Sequence, residues 1–579
     1  MLSSRTLFLI PARAGSKGFP GKNLALCGGI PLVGRAVRTA RRAAVRLGGP
    51  AVIICSTDDE AIARTATEWG ADVPFMRPAP LATDAASSLD VARHAIASAG
   101  GAFDAVVLLQ PTSPLTDVAD VVGCIEMFRV TGEPVVAVCR SEHPIEWHFR
   151  RHEDGRLEAA LGRLEAHQRQ QAVPTVRPTG AVYVASPAHL AAGGFFAETT
   201  HGFVMPASRS VDVDSAEDLA VAEAVLAART PDSLRVGDRR IGPGAPCFVI
   251  AEAGVNHNGV LANALALVDA AADAGADAVK FQTFRAERLA SSAAPKAVYQ
   301  LDPSAAGESQ LDMLRRLELS HADHHAIARQ CALRGIAFLS TPFEEESARF
   351  LDEMGVPAFK ISSGDLTNLA LLEYVAGFGK PLILSTGMAD LPEIDAAVDA
   401  ILSARGVTPA LLQCVSEYPA APADANLRAM ATLQAAFACP AGYSDHTPGI
   451  ETAIAAAALG ACVVEKHLTI DRRLPGPDHK ASLEPAELRA MVRGIRIAEA
   501  SRGDGVKRPA AGEAAIAAVA RKSLVAARDI PAGSVLHAED IAIRRPGTGL
   551  PPRYRAQLLG RTTKVAISSG TLLTQEMLA

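Results

Sequence analysis

Two histidines, His446 and His467, stand 21 residues apart inside the stretch 442–469, GYSDHTPGIETAIAAAALGACVVEKHLT. The first closes a Ser444-Asp445-His446 triplet, and the second ends a Val-Val-Glu-Lys-His run. Their separation is about one strand-plus-helix unit of an α/β barrel. That would put both imidazoles at the C-terminal ends of neighbouring parallel strands, roughly 5 Å apart sideways. Strand ends on that face are where barrel enzymes do chemistry. With Asp445 and Glu465 beside them, the two imidazoles are candidate ligands for one divalent metal. The competing reading is a pair of unrelated histidines, one of them capping a helix.

The elements that must position such a site recur through the same half of the chain. Short apolar runs fall at 248–251, 278–281, 337–339, 358–361, 382–384, 410–412, 441–443 and 462–464. Most are separated by amphipathic or Ala-rich helical stretches. Eight such units in about 250 residues is the size of a (β/α)8 TIM barrel. Each run ends in polar residues: Glu252, Lys280 and Gln282, Ser340-Thr341, Lys360 and Ser363, Ser385-Thr386, Ser416 and Tyr418, Asp445-His446, Glu465 and His467. Converging on one mouth, lysines, hydroxyls and a metal pair suit a phosphate-bearing substrate and a carbonyl.

The residues before the barrel form a second α/β pattern. The run 7–10 feeds the loop Pro11-Ala-Arg13-Ala-Gly15-Ser16-Lys17-Gly18-Phe-Pro-Gly21-Lys22-Asn23. A strand followed by spaced glycines and three cations is a phosphate cradle. Its spacing is neither of the familiar nucleotide fingerprints, since the glycines run GxxGxxG and Asn23 stands where a P-loop has Ser or Thr. Further strands are expected at 52–55, 105–109, 135–139 and 181–185, in a largely parallel sheet with its ligand beyond the strand C-termini. Asp212 and Asp214, at i and i+2 before a helix, could hold one Mg²⁺. Alone, a helix cap plus a surface aspartate is the simpler reading.

Composition bounds the rest. The chain has 579 residues, 49% hydrophobic and 21% charged, with net charge -6. That is enough for three or four globular domains and gives no reason to expect nucleic acid or an anionic membrane as partner. The nine cysteines show no CxxC pair, which suits a reducing cytosol, so a cytoplasmic location is expected. No run is long enough for a membrane span. Segments 231–246 and 502–521 read as linkers. The expected division is therefore 1–230, a barrel at 247–501 and a small β module at 522–579. That module carries an internal half-repeat, Ile530-Pro-Ala-Gly533 recurring as Ile567-Ser-Ser-Gly570.

Both halves resemble known families. IPARAGSKGFPGKN, RPAPLATDAASS, LLQPTSPL, RPTGAVYV and DVDSAEDL occur in order across the first domain. Together they resemble CMP-sialic acid synthetases, which have a Rossmann-like nucleotidyltransferase domain. The resemblance implies that Arg13, Lys22 and Asn23 face the triphosphate of CTP. It further implies that Arg77, Ser88 and Gln110 line the nucleotide and sugar pocket, and that Asp212 and Asp214 hold Mg²⁺. Thr116 and Thr179 depart from the family's Arg and Asn. AEAGVNHNG, KFQT, STPF, KISSGD, LSTGM, GYSDHT, VEKHLT and GPDH across the barrel resemble sialic acid synthases. By that resemblance His446 and His467 bind Mn²⁺ or Mg²⁺. Lys280, Thr341, Lys360, Ser363, Ser385 and Ser444 contact phosphoenolpyruvate. Gln282, Asp365, Tyr418 and Asp478 contact the sugar, and Glu252 is a candidate acid/base. The last module resembles the antifreeze-like (SAF) domain that ends those synthases. There it reaches into a partner's barrel with an arginine, here Arg545, so a homodimer or larger assembly is implied.

The expected function is a bifunctional enzyme that condenses phosphoenolpyruvate with N-acetylmannosamine or a related sugar, then activates the nine-carbon acid with CTP. A legionaminic-type product, from a diamino-dideoxy sugar, is the alternative. A third reading keeps one half only as a binding module.

Overall fold

The computed structural model describes residues 5–15, 18–161, 173–297, 300, 308–406 and 408–579. Ser16 and Lys17 of the glycine loop lie outside the described residues. The chain forms two compact units, residues 1–501 and 502–579.

The first unit opens with a six-stranded sheet, in the order His201–Val204, Val135–Arg140, Val176–Ala185, Ala105–Leu109, Thr6–Pro11 and Ala51–Ser56. All neighbours are parallel except Val176–Ala185, which runs antiparallel to both of its partners. The sheet is buried on both faces, which explains why its strands read as continuous apolar runs. The glycine loop leaves the C-terminal end of Thr6–Pro11, and helix Leu32–Leu47 follows it.

The eight expected barrel runs all form strands: Phe248–Gly254, Ala278–Thr283, Ala337–Pro342, Phe359–Ile361, Leu382–Ser385, Ala410–Cys414, Ala441–Asp445 and Val463–His467. They make one parallel eight-stranded sheet, and the two strands at the ends of its order, Ala337–Pro342 and Phe359–Ile361, lie side by side. Side chains alternate along these strands, apart from a bulge between Glu252 and Gly254 in the first. Ala278, Leu339, Ile383, Ala410, Leu412 and Val463 fill the lower interior, while Val279, Phe281, Leu384, Leu411 and Val464 face the surrounding helices.

The segment expected as the first linker is partly structured. Leu234–Val236 and Arg239–Ile241 form an antiparallel hairpin, and Leu234, Val236 and Ile241 join the lower interior cluster of the barrel. Only three apolar side chains make that contact, too few for a periodic signal in sequence. In the second unit, Ser523–Ala526 pairs with Ile541–Arg544, and the half-repeat residues Ile530 and Ile567 pair and are buried in a small core. The segment expected as the second linker contains helix Glu513–Ala520.

Candidate active sites

The strand period that buries the lower interior also builds the upper one. Continuing inward from Ala278 come Lys280 and Gln282; from Leu339, Thr341; from Ile383, Ser385; from Leu412, Cys414. With Glu252, Lys360, Ser444, Glu465 and His467 they line a cavity of about 350 Å³ at the C-terminal ends of the strands. Register fixes the neighbours: Glu252 pairs with Lys280 on one side and His467 on the other, Ser444 pairs with Glu465, and Gln282 pairs with Thr341.

The cavity is an array of charges withheld from water. Lys280 Nζ lies 2.5 Å from Glu252 and 3.9 Å from Glu465, and it donates to Thr341 Oγ1 at 3.1 Å. Lys360 Nζ lies 3.3 Å from Glu465, which also accepts from Ser444 Oγ at 3.1 Å. Burial pushes the Glu252 carboxyl up to about 7 against the pull of Lys280. Burial raises Glu465 too, but the charges of Lys280 and Lys360 outweigh it and leave that carboxyl below its ordinary value. Burial likewise draws the Lys360 ammonium down, with Glu465 resisting. Two lysines and two carboxylates compensate one another, and a phosphorylated acid entering here would take over the ammonium groups.

The far wall holds both histidines, their ring centroids 5.4 Å apart, with the Tyr418 ring 4.0 Å from that of His446. His446 Nδ1 sits 2.6 Å from the Val415 carbonyl, so Nδ1 carries a proton and Nε2 is the nitrogen left for an ion. His467 Nδ1 is buried without a hydrogen bond, and Asp478 lies 4.0 Å from it. Burial, reinforced by the charges of His446 and Lys280, holds His467 far below the usual imidazole range, so it is neutral. His446 and His467 are the two imidazoles that would hold a divalent ion, His467 already in its neutral form. Among the described residues no group of three or more His, Cys, Asp or Glu side chains is arranged for a metal, so an ion here would draw further ligands from water or substrate.

Asp445 is not a ligand candidate. It lies on the outward parity of its strand, where it pairs with Lys466 at 2.8 Å, both side chains fully buried, and accepts from Thr447. Glu465 is turned to the lysines. Asp365 accepts from Ser362 Oγ at 2.7 Å and does not line the cavity, whereas Ser363 does and holds Gly387 N at 3.0 Å. Gln282, Thr341, Ser385, Tyr418, Ser444 and Asp478 all line it. Cys414 and Met388 also line it and were not anticipated; position 414 shares the inward parity of 410 and 412, a signal the sequence carries. Arg545 belongs to the second unit, where it is exposed and donates through Nε to the Ala520 carbonyl at 3.1 Å.

In the first domain Arg13, Lys22, Asn23, Arg77, Ser88 and Gln110 line a cavity of about 200 Å³ beyond the strand ends. Arg13 pairs with Asp84 at 2.6 Å, and Asn23 Nδ2 donates to the Arg13 carbonyl at 2.9 Å, tying the loop's two cationic ends together. Arg77 is buried, its Nε bonded to Ser56 Oγ at 3.1 Å. Asp212 has a buried oxygen without a hydrogen bond, and burial above all, with Asp214 adding, raises its carboxyl. Asp214 gives one oxygen to Lys22 at 2.9 Å. Asp212 and the other oxygen of Asp214 are the groups that would hold Mg²⁺ here. Gly180, at φ +81°, leaves room for Asp212, since a Cβ there would sit 3.3 Å from its carboxylate. A second cavity of about 250 Å³ adjoins through Ser88 and Gln110 and is walled by Leu89, Tyr183, Phe195 and Phe196. Ser88 and Gln110 were expected on the nucleotide and sugar pocket, whereas Leu89, Phe195 and Phe196 were not anticipated. Thr116 bonds the Ser113 carbonyl, and Thr179 is buried against the Ala137 carbonyl.

Among the described residues no helix is long and apolar enough to cross a membrane. All nine cysteines are free and buried.

Comparison with known proteins gives three family matches: Cytidylyltransferase over residues 7–153, NeuB family over 267–507 and SAF domain over 521–579. N,N'-diacetyllegionaminic acid synthase of Legionella pneumophila is 45% identical over 339 residues, 58% of this chain and 95% of that protein. The protein of the same name from Campylobacter jejuni is 46% identical over 316 residues, 54% of this chain and 95% of its own length. Human N-acetylneuraminate-9-phosphate synthase is 36% identical over 341 residues, 58% of this chain and 94% of that protein.

Proposed function

Because this chain belongs to the NeuB family, with a cytidylyltransferase domain ahead of the barrel and a SAF domain behind it, we propose that it both makes and activates a nonulosonic acid. The observation that carries the barrel half is the meeting of Lys280, Lys360, Glu252 and Glu465 with two facing imidazoles in one cavity. The ammonium groups offset the phosphate and carboxylate of phosphoenolpyruvate, with Thr341, Ser385 and Ser444 as hydroxyl partners. C3 of phosphoenolpyruvate attacks the aldehyde carbon of an open-chain amino sugar, whose oxygen takes up a proton. Water adds at C2 and loses a proton, and the tetrahedral intermediate expels phosphate to leave an α-keto acid. Glu252, poised near neutrality, exchanges the proton at the reacting oxygen. His446 and His467 would hold a divalent ion, which would supply Lewis-acid polarisation of the aldehyde. Gln282, Tyr418 and Asp478 orient the sugar, and Asp365 acts at most through Ser362.

In the first domain the acid's anomeric hydroxyl attacks the α-phosphate of CTP, and pyrophosphate leaves. Arg13 and Lys22 hold the phosphates while Asn23 fixes the loop; Arg77, Ser88 and Gln110 bound the nucleotide. Asp212 and Asp214 would hold Mg²⁺, which would supply charge neutralisation. The aromatic cavity beside Ser88 and Gln110 is placed to receive the sugar acid.

Two acceptor sugars are in view, N-acetylmannosamine and a diamino-dideoxy sugar. The higher identity to the two legionaminic acid synthases, 45% and 46% against 36% for the human protein, favours the second. The test is to supply each sugar with phosphoenolpyruvate and follow phosphate release, then add CTP and follow pyrophosphate. Phosphate release with either sugar supports the barrel reading, and greater kcat/KM with the diamino sugar supports the finer one. No phosphate release with any amino sugar overturns both.

A further inference from the structure

The two catalytic domains meet in a built interface. Helix Leu32–Leu47, which follows the glycine loop, lies against helix Leu391–Arg405, which follows the barrel strand ending at Ser385. Asp395 on the barrel helix has no exposed side-chain surface. Its two oxygens take Arg41 and Arg42, the latter at 2.9 Å, with Arg38 at 3.7 Å. Asp399, one turn on, takes Arg41 at 2.5 Å and Arg42 at 2.7 Å. Exposed ion pairs on touching surfaces stay hydrated; this one is forked and centred on the fully buried Asp395, with Arg41, Arg42 and Asp399 about a quarter exposed at its edge.

Apolar packing extends the same contact. Ala436, Phe437 and Leu391 of the barrel half pack into the apolar core of the first domain, and Arg38 donates to the Ala436 carbonyl at 2.8 Å. At the tip of the short hairpin after Asn23, Gly29 sits so close to Thr432 that a Cβ would lie 2.3 Å from its methyl group. Thr432 and Leu391 in turn line a cavity of about 430 Å³ that shares Met388 and Cys414 with the barrel site. One layer of side chains therefore separates the docked domain from a cavity that adjoins the condensation site. Met388, at that junction, holds φ +65°, a left-handed conformation that a non-glycine residue keeps only when its surroundings impose it.

We propose that the cytidylyltransferase domain is a fixed wall of the barrel, and that Arg41 and Arg42 are positioning residues for condensation. By clamping helix Leu391–Arg405 they hold the preceding loop, with Ser385 and Met388, in its place at the cavity. This rests on the reading of Ser385 as a phosphoenolpyruvate contact. The test uses the full-length chain with Arg41→Gln and Arg42→Gln together, and measures amide hydrogen exchange over residues 386–405 alongside steady-state condensation. Exchange there rises tenfold or more, KM for phosphoenolpyruvate rises several-fold, and CMP transfer keeps its rate. Exchanging the charges, with Arg42→Asp and Asp399→Arg, recovers part of the protection lost in Arg42→Asp alone. If the double variant does not fold, Arg41→Lys with Arg42→Lys, which keeps charge but loses the fork, takes its place with the same readouts. Exchange or KM staying at the unaltered value in a folded variant overturns the proposal. Absence of condensation in the unaltered enzyme would instead remove the functional reading, and hydrogen exchange would still decide whether the clamp holds the loop.

Discussion

Lys280 and Glu252 occupy paired positions on adjacent barrel strands, and the ammonium lies 2.5 Å from the carboxylate with both side chains buried. Burial nevertheless places the Glu252 carboxyl at about 7, above its ordinary 4.5. A carboxyl that titrates higher in the folded than in the unfolded chain favours folding most below about pH 4.5, and that contribution is lost as pH rises through 7. Glu252→Gln mimics the neutral form, so its melting temperature should fall less than that of the unaltered protein between pH 5 and pH 8. Condensation by the variant should drop by two orders of magnitude or more, as expected for losing an acid/base group. Parallel melting curves at both pH values for the two proteins would show that Glu252 does not carry this ionisation.

Asp445 and Lys466 form a second buried pair, on the outer side of the barrel wall. Removing one partner of such a pair costs about 3–5 kcal/mol because the other charge is left buried and alone. Asp445→Asn should therefore lower stability by that order in denaturant titration. Its response to chelator and added Mn²⁺ should match the unaltered protein. A change in metal affinity without a change in stability would return Asp445 to the metal site.

The two activities should separate by mutation of their ion sites. Asp212→Ala should abolish CMP transfer and leave condensation, and His467→Ala should do the reverse. Chelator should stop condensation without unfolding the barrel, since among the described residues two imidazoles and no larger ligand group face an ion there, and Mn²⁺ or Mg²⁺ should restore it. Loss of both activities from either substitution in folded protein would contradict two separate sites.

Arg545 is exposed within its own unit, with only one nitrogen engaged by the Ala520 carbonyl. Arg545→Lys keeps the charge but loses the fork, and a lost charged hydrogen bond costs about 1.5–3 kcal/mol. Use of the acceptor sugar should weaken by roughly tenfold or more, with less change in KM for phosphoenolpyruvate. If a partner subunit receives this arginine, Arg545→Ala and His467→Ala subunits should be inactive apart and partly active when mixed. Failure to complement after proven subunit exchange would remove the shared arrangement.

Much of this protein was legible before any coordinates. Periodicity and length set out eight barrel strands, and polar residues at the strand ends pointed to one mouth, because a two-residue repeat carries inward positions from the apolar floor to the polar rim. Parity separates Ser444 from Asp445 and Glu465 from Lys466 in the same way. Adjacency in sequence suggested Asp445 as a ligand, and strand geometry sends it to the opposite face.

By itself the sequence determined which residues could share a site: local patterns specify element type, and element type specifies which side chains point together. Only the tertiary structure decided how charge is balanced. Glu252 takes Lys280 through ladder register, Glu465 takes Lys360 across the barrel interior, and Asp395 is neutralised by arginines more than 350 positions away. The hairpin around Gly237 fills the barrel floor with three apolar side chains. Such contacts depend on distances between elements that no local pattern encodes, and they are what join the two catalytic domains into one unit.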